Sequence, residues 1–458
     1  MRIRGRLTVV LALSATFIAQ GSLATNGYFT HGLGVKNKGM AGAGNASPSE
    51  TISVASNPAA AVMVGEKYEV GLSIFAPRRS YNASTSLANG NGGAFTLGSG
   101  QVDSGRKYFP IPYISKAWKL DDTSGMAINF YGRGGMNTTW GSGSATLDPD
   151  GGGPMGGPAP VTNLPGTFGG GDAGVNLSQA FLGLVYGRKM GDLNVGVSAV
   201  LAMQAFKATG LANFAGFTKT FAASGGTVFP SNLTNNGTDF SYGLGIQVGA
   251  IYSINEQLNV GASYQSETRM SEFDNYADLF AEGGGFDIPA ALRLSASYSA
   301  TPEVSLHFDY ERTIYSKVDS VGNRIQNIFA CPTAGQGGSD LESCLGGDNG
   351  AGFGWDDVDT YKFGVEWNAS ADIVLRAGYS TAKQPINDDQ VLFNILAPAV
   401  VEQHFTIGAT YKLNGDNELS VSLMYAPSES VTGANTFDPT QQLEIEMHQF
   451  ELEIGYSF

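Results

Sequence analysis

Side chains able to do chemistry are sparse in these 458 residues. The four histidines, His31, His307, His404 and His448, are scattered along the chain, and no Gly-x-Ser-x-Gly elbow is present. A hydrolase needs nucleophile, base and orienting acid brought together, so no enzymatic activity is read here. No Gly-rich run ends in Gly-Lys-Ser or Gly-Lys-Thr as a phosphate-cradling loop would, and neither cofactor nor metal is expected. Cys331 and Cys344 lie in one Gly-rich stretch and would close a loop of about 13 residues, for which chain entropy suggests on the order of 3 kcal/mol. They are read as a loop disulfide, because a metal or redox site would want further cysteine or histidine nearby. A formal net charge of −15 argues against a nucleic-acid partner.

The elements that must position these groups show a period of two. In Val304-Ser305-Leu306-His307-Phe308-Asp309-Tyr310 apolar residues fall on even positions and polar ones on odd, and the same alternation runs through Phe405 to Tyr411 and Leu419 to Tyr425. Period two puts each parity on one face of a strand. Fourteen such segments start near Lys67, Tyr108, Gly125, Val175, Asn194, Phe240, Leu258, Phe286, Val304, Trp355, Ile373, Val401, Glu418 and Glu444. Connections after even strands are short, such as Asp121-Asp122-Thr123-Ser124. Those after odd strands are long, near 82 to 107, 138 to 174, 208 to 238, 269 to 285, 315 to 354, 384 to 400 and 429 to 443. Strict short-long alternation, with only 15% charged residues, points to an all-β fold: a 14-stranded antiparallel transmembrane β-barrel in a Gram-negative outer membrane.

Two aromatic girdles are expected at the interfaces. Trp118, Tyr186, Tyr252, Tyr298, Trp367, Tyr411 and Tyr456 end the even strands, and Tyr81, Tyr131, Phe206, Tyr264, Tyr310, Tyr379 and Tyr425 mark the outer ends of the odd ones. In the last strand Phe450, Leu452, Ile454, Tyr456 and Phe458 alternate with polar residues, whereas Leu443, Ile445 and Met447 have the opposite parity. That switch predicts a bulge near His448 and Gln449. Strand parity places Arg293, Lys362, Arg376 and His404 on the lumen face beside Glu69, His307, Asp309, Glu311 and Glu366.

The start of the chain departs from this pattern. Arg2, Arg4 and Arg6 precede an apolar run from Leu7 to Ala19, followed by Ser22-Leu23-Ala24. Residues 1–24 therefore read as a secretory signal peptide, too short in its apolar part to span a bilayer. Residues 25–65 are rich in Gly, Ala and Ser and precede a barrel expected over 66–458. Both ends of an even-stranded barrel lie on one side, so this segment either folds up into the lumen as a plug or hangs as a periplasmic tail.

Gly27-Tyr28-Phe29, Gly32-Leu33-Gly34, the run Gly39 to Gly44, Ser56-Asn57-Pro58-Ala59 and Gly132-Arg133-Gly134-Gly135-Met136-Asn137-Thr138 resemble the FadL-like outer-membrane transporters of long-chain fatty acids and hydrocarbons. Together with the strand count the resemblance spans the mature chain. It implies a hatch over 25–65 that occludes the lumen, and passive uptake of hydrophobic compounds, foremost long-chain fatty acids, with aromatic or alkane hydrocarbons or a general porin as alternatives. Release would be lateral, at a kink in the third strand close to the Asn-Pro-Ala motif, involving Asn57, Pro58, Ala59, Gly132, Gly134 and Gly135. Glycines inside a strand fit such a bend. Tyr28, Phe29, Leu33, Val54, Val62 and Met63 are then candidate ligand contacts, each equally able to serve only in packing. Arg293 and Arg376 are candidates for a carboxylate, unless they pair with lumen acids. Glu50 stands where the family commonly has aspartate. Expected partners are hydrophobic small molecules, outer-membrane lipid and lipopolysaccharide, and the barrel-assembly machinery through the C-terminal strand, with the chain acting as a monomer.

Overall fold

The computed structural model describes residues 26–148, 160–413 and 416–458. The expected signal peptide and the Gly151-Gly152-Gly153-Pro154 run lie outside the described residues. One antiparallel sheet closes on itself; of its sixteen strands, two short ones, Gly100–Asp103 and Arg269–Met270, belong to loop excursions. The remaining fourteen form the barrel: β1 (Tyr68–Ala83), β2 (Phe109–Lys119), β3 (Ser124–Asn137), β4 (Gly174–Met190), β5 (Leu193–Thr209), β6 (Asp239–Ser253) and β7 (Leu258–Gln265), then β8 (Ala291–Ser299), β9 (Val304–Thr313), β10 (Val358–Asn368), β11 (Ile373–Ala382), β12 (Gln403–Lys412), β13 (Glu418–Asn435) and β14 (Asp438–Ser457). Each pairs with its sequence neighbours, and β14 also pairs with β1 from Glu69↔Ser457 to Ala83↔Leu443, so no edge remains.

The alternating pattern does the sorting that bilayer and lumen require. Along β1, Tyr68, Val70, Leu72 and Ile74 face outward and are exposed, while Glu69, Ser73 and Phe75 are buried inside. Of the expected periplasmic girdle, Trp118, Tyr186, Tyr252, Tyr298, Trp367 and Tyr411 are exposed on the outer wall, and Tyr456 is half-buried there. At the other end three expectations fail, because Tyr81, Tyr131 and Phe206 point inward and are buried. Around Tyr81 and Phe206 the strands have left the bilayer, so their outer face meets water and their inner face meets packed loops, whereas Tyr131, level with Gly71 through Tyr113, takes the inner face by strand parity. Around the first two, apolar side chains therefore change sides.

The same exchange explains β14. Leu443, Ile445 and Met447 are buried inside, Phe450, Leu452 and Ile454 are exposed outside, and the inward parity never breaks. The expected bulge near His448 and Gln449 is instead on the neighbouring strand, where register shifts between Ala426 and Glu429 of β13. Nor is there a long loop over 429 to 443, since β13 and β14 continue as a ladder to Asn435↔Asp438. Their outward Glu444 and Glu446 belong to a strand in water, which hid the period. Strand β8 begins at Ala291 rather than near Phe286, whose ring is buried among the loops.

The other long loops fold over the outer mouth and join one apolar core, to which Phe273, Tyr276, Phe280, Ile325, Ile328, Leu392 and Ile395 contribute. Cys331 and Cys344 are disulfide-bonded within this cap. Trp140 donates to the Ile395 carbonyl at 3.1 Å and Trp355 to Asn394 Oδ1 at 2.6 Å, tying separate loops together.

Candidate functional site

Two regions inside the barrel could act on a ligand: the N-terminal segment in the lower lumen and an apolar cavity beneath the loops. From Asn26 to Ala61 the segment is almost wholly buried and has only short helical turns, Val35–Lys38, Thr51–Ala55 and Pro58–Val62. A chain so poor in regular structure must satisfy its backbone elsewhere, and inward-facing wall residues do this. Glu69 accepts from the Thr51 N–H at 2.6 Å, and Asp309 from the Gly44 N–H at 2.6 Å. Gln247 and Ser263 both donate to the Ser56 carbonyl at 2.8 Å, and Lys362 to the His31 carbonyl at 3.0 Å. Within the segment, Glu50 accepts from the Lys36 and Asn37 N–H groups at 3.0 and 2.8 Å. Lys38 Nζ lies 2.5 Å from both Glu451 and Glu453. Burial pushes the His31 imidazole well below its ordinary range, keeping it neutral beside these charges.

Glycine on the wall makes this close approach possible. A Cβ on Gly196 of β5 would overlap the Pro58 backbone, one on Gly249 of β6 the Asn57 side chain, and one on Gly378 of β11 the backbone of Met40 and Ala41. Gly196→Val is therefore expected to unseat the Pro58–Val62 turn at a cost of about 1–3 kcal/mol, the usual range for overpacking. Protease access to the segment from the periplasmic side measures it. Protection equal to wild type would show that the turn docks elsewhere.

At its start the segment reaches the third strand. Register shifts between Gly132 and Gly134 of β3, making Arg133 the extra residue of a bulge where glycines suggested a bend. Thr30 N–H donates to the Arg133 carbonyl and Gly135 N–H to the Tyr28 carbonyl, both at 3.0 Å. The Arg133 guanidinium lies 4.1 Å over the Phe29 ring and 3.2 Å from Glu311. Arg133 is a central residue that sequence reasoning did not select. An arginine among strand glycines was its only signal.

Tyr28 lies in an aromatic cluster with Phe29, Phe286, Tyr315 and Trp355, ring centroids 4.8–6.1 Å apart. Burial pushes its hydroxyl pKa above the ordinary phenol range, so it stays protonated. One ring further on, Phe280 (5.0 Å from Phe286) and Phe353 (6.1 Å from Trp355) line the second region. This narrow cavity, about 40 Å³, is bounded by Val175, Phe206, Leu211, Phe214, Leu279, Leu345, Phe393 and Leu396, with Ser320 as its one hydroxyl and no charged side chain.

The expected ligand residues thus separate. Tyr28, Phe29 and Leu33 join the apolar core under the cavity without lining it. Val54 packs with Ala60, Ala61, Ala117, Ala127 and Val185 near the periplasmic end, and Val62 and Met63 are half-buried beside it. Arg293 is 2.7 Å from Glu311 and Arg376 is 2.8 Å from Glu366. Asn57 caps its own turn, accepting from the Ala59 N–H at 3.1 Å, and donates to the Ala250 carbonyl at 3.2 Å. Asn57, Pro58 and Ala59 therefore seat the segment on β5–β7 and do not adjoin the β3 bulge. Gly125, next to Ala61, lies about 23 Å of strand below Gly132.

A family model described as outer membrane protein transport protein (OMPP1/FadL/TodX) matches residues 188–455, more than half of the chain. No curated relative matches by sequence. Among solved structures the chain is similar to the P. putida toluene transporter TodX (16% identity over 93% of this chain and 98% of that one, TM-score 0.59). It is also similar to a Pseudomonas aeruginosa FadL homologue (14%, 94% and 99%, TM-score 0.62) and to the Ralstonia pickettii toluene transporter TbuX (16%, 93% and 98%, TM-score 0.55). At such identities the likeness speaks for the fold.

Proposed function

Because the chain belongs to the OMPP1/FadL/TodX family of outer membrane transport proteins, we propose that it takes up small neutral hydrophobic molecules such as aromatic hydrocarbons. It is a channel protein of the Gram-negative outer membrane, and the finer reading rests on one observation, the uncharged aromatic cavity beneath the loops. Burying apolar ligand surface there gains roughly 25 cal/mol per Å², whereas an ionised carboxylate would be desolvated with no partner. Long-chain fatty acids, foremost in the sequence resemblance, need such a partner. Arg293 and Arg376 are already held by Glu311 and Glu366.

Passage would be diffusive. A ligand leaving the cavity meets the ring cluster around Tyr28, whose chain is clipped to the β3 bulge by two backbone hydrogen bonds. Withdrawal of residues 26–30 would free the bulge at Gly132, Gly134 and Gly135 as a side exit into the bilayer. Asn57-Pro58-Ala59 would serve as the anchor of the hatch that stays in place.

Uptake of labelled toluene and labelled oleate by a deletion strain carrying this gene tests the reading. Toluene uptake should return and oleate uptake should not, and Leu279→Asp, which puts a charge into the cavity, should lower toluene uptake at least about tenfold. Restored oleate uptake without toluene would overturn it.

A further inference from the structure

The outer wall between β12 and β1 carries a feature that uptake does not use. Pairing of β1 with β2 ends at Phe75↔Phe109, and the Gly100–Asp103 strand takes over only from Ser80↔Asp103. Ala76, Pro77 and Arg78 therefore have no ladder partner on that side, and Arg78 and Arg79 span the opening. Arg78 donates to the Lys107 carbonyl at 3.0 Å and Arg79 to the Arg106 carbonyl at 2.7 Å. Four cations, Arg78, Arg79, Arg106 and Lys107, are thus gathered in a chain of net charge −15, and among the described residues none has a carboxylate within 4.0 Å. Arg79 is 94% buried and its Nε has no acceptor. Arg78, Arg79, Lys107 and His448 line an outward-opening notch together with Asp103 and Glu446.

Directly below lies an apolar groove on the same outer face. Cross-strand registers align Phe405, Tyr425, Phe450 and Ala76 in one row and Ile407, Leu423, Leu452 and Ile74 in the next. The small Ala76 leaves the first row hollow, and these residues line an open depression of about 610 Å³. The first row belongs to the outer aromatic girdle, which marks the edge of the hydrocarbon. Arg78, opposite His448 and two residues above Ala76, stands about 7 Å higher, at the level of the head groups.

We infer that this face binds a phosphorylated, multiply acylated lipid of the outer leaflet, the lipid A part of lipopolysaccharide. Its phosphate occupies the notch on Arg78 and Lys107, and its acyl chains lie in the groove. Guanidinium and ammonium donors match phosphate oxygens, and three cations against two lining acids leave a positive excess. The site depends on outer-membrane residence and not on the transported substrate.

Native mass spectrometry of the detergent-purified full-length protein tests this with phosphorylated lipid A, dephosphorylated lipid A and inorganic phosphate. Phosphorylated lipid A should bind, the dephosphorylated form about tenfold more weakly, and inorganic phosphate not at all, as one lost charge-assisted contact predicts. The double variant Arg78→Gln, Lys107→Gln, whose changed side chains are not core residues, should bind phosphorylated lipid A no better than the dephosphorylated form while still restoring toluene uptake. Equal binding of the two lipids, undiminished binding by the variant, or equal binding of free phosphate would each overturn the inference. The uptake reading would stand in every one of those cases.

Discussion

A chain lacking residues 26–61 is expected to conduct ions through a lumen that the complete chain keeps closed. Fourteen strands enclose more space than their own side chains fill, since wider barrels leave an aqueous channel. Here the filling is supplied by a segment buried along nearly all its length. Its removal would expose Glu69, Asp309, Glu451 and Glu453 to water and also remove two cations, Lys36 and Lys38, against one acid, Glu50. The opened pore should therefore prefer cations. Planar-bilayer recordings of both forms measure this, and a shortened chain that stays silent would place the seal in the loop cap instead. Substrate selectivity should vanish with the same deletion, because small polar solutes would then pass as readily as toluene.

Replacing Lys38 by methionine is expected to destabilise the folded protein by about 3–5 kcal/mol, the range seen when one partner of a buried ion pair is removed. Lys38 is the shared cation of Glu451 and Glu453, each 2.5 Å away, and all three are buried. Without it two carboxylates face each other in a site with little water, and one must take up a proton or the segment must withdraw. The midpoint of urea unfolding, read from the shift between compact and unfolded bands in cold electrophoresis, reports the loss. Adding Glu451→Gln and Glu453→Gln should recover most of it, since replacing a whole ionic cluster by neutral groups is far less costly than orphaning part of it. A variant as stable as wild type would mean that glycine-lined packing, and not this cluster, holds the segment.

What could be read along the chain was whatever the local period dictates. Alternation assigned Glu69, His307, Asp309, Arg293 and Arg376 to the inner face, and Leu419, Val421 and Leu423 to the lipid face, before any partner was known. Short turns after even strands set up-and-down order, and Gly132 and Gly134 marked the bend in β3. These features need only a residue and its neighbours, because a strand's two faces follow from backbone geometry alone.

Three-dimensional structure decided what each face meets at each height. Tyr81, Phe206 and Leu443 to Met447 turn inward because the wall there rises into water around a cap of loops, a condition set by residues far away in sequence. The cavity draws on β4, β5 and four separate loops, so no contiguous motif could announce it. Arg293 and Arg376 carry the same charge with or without Glu311 and Glu366 beside them, yet only that pairing determines whether they are free for a ligand. Periodicity is a property of one strand, whereas the filling of a barrel is a property of all fourteen together with the segment and loops they enclose.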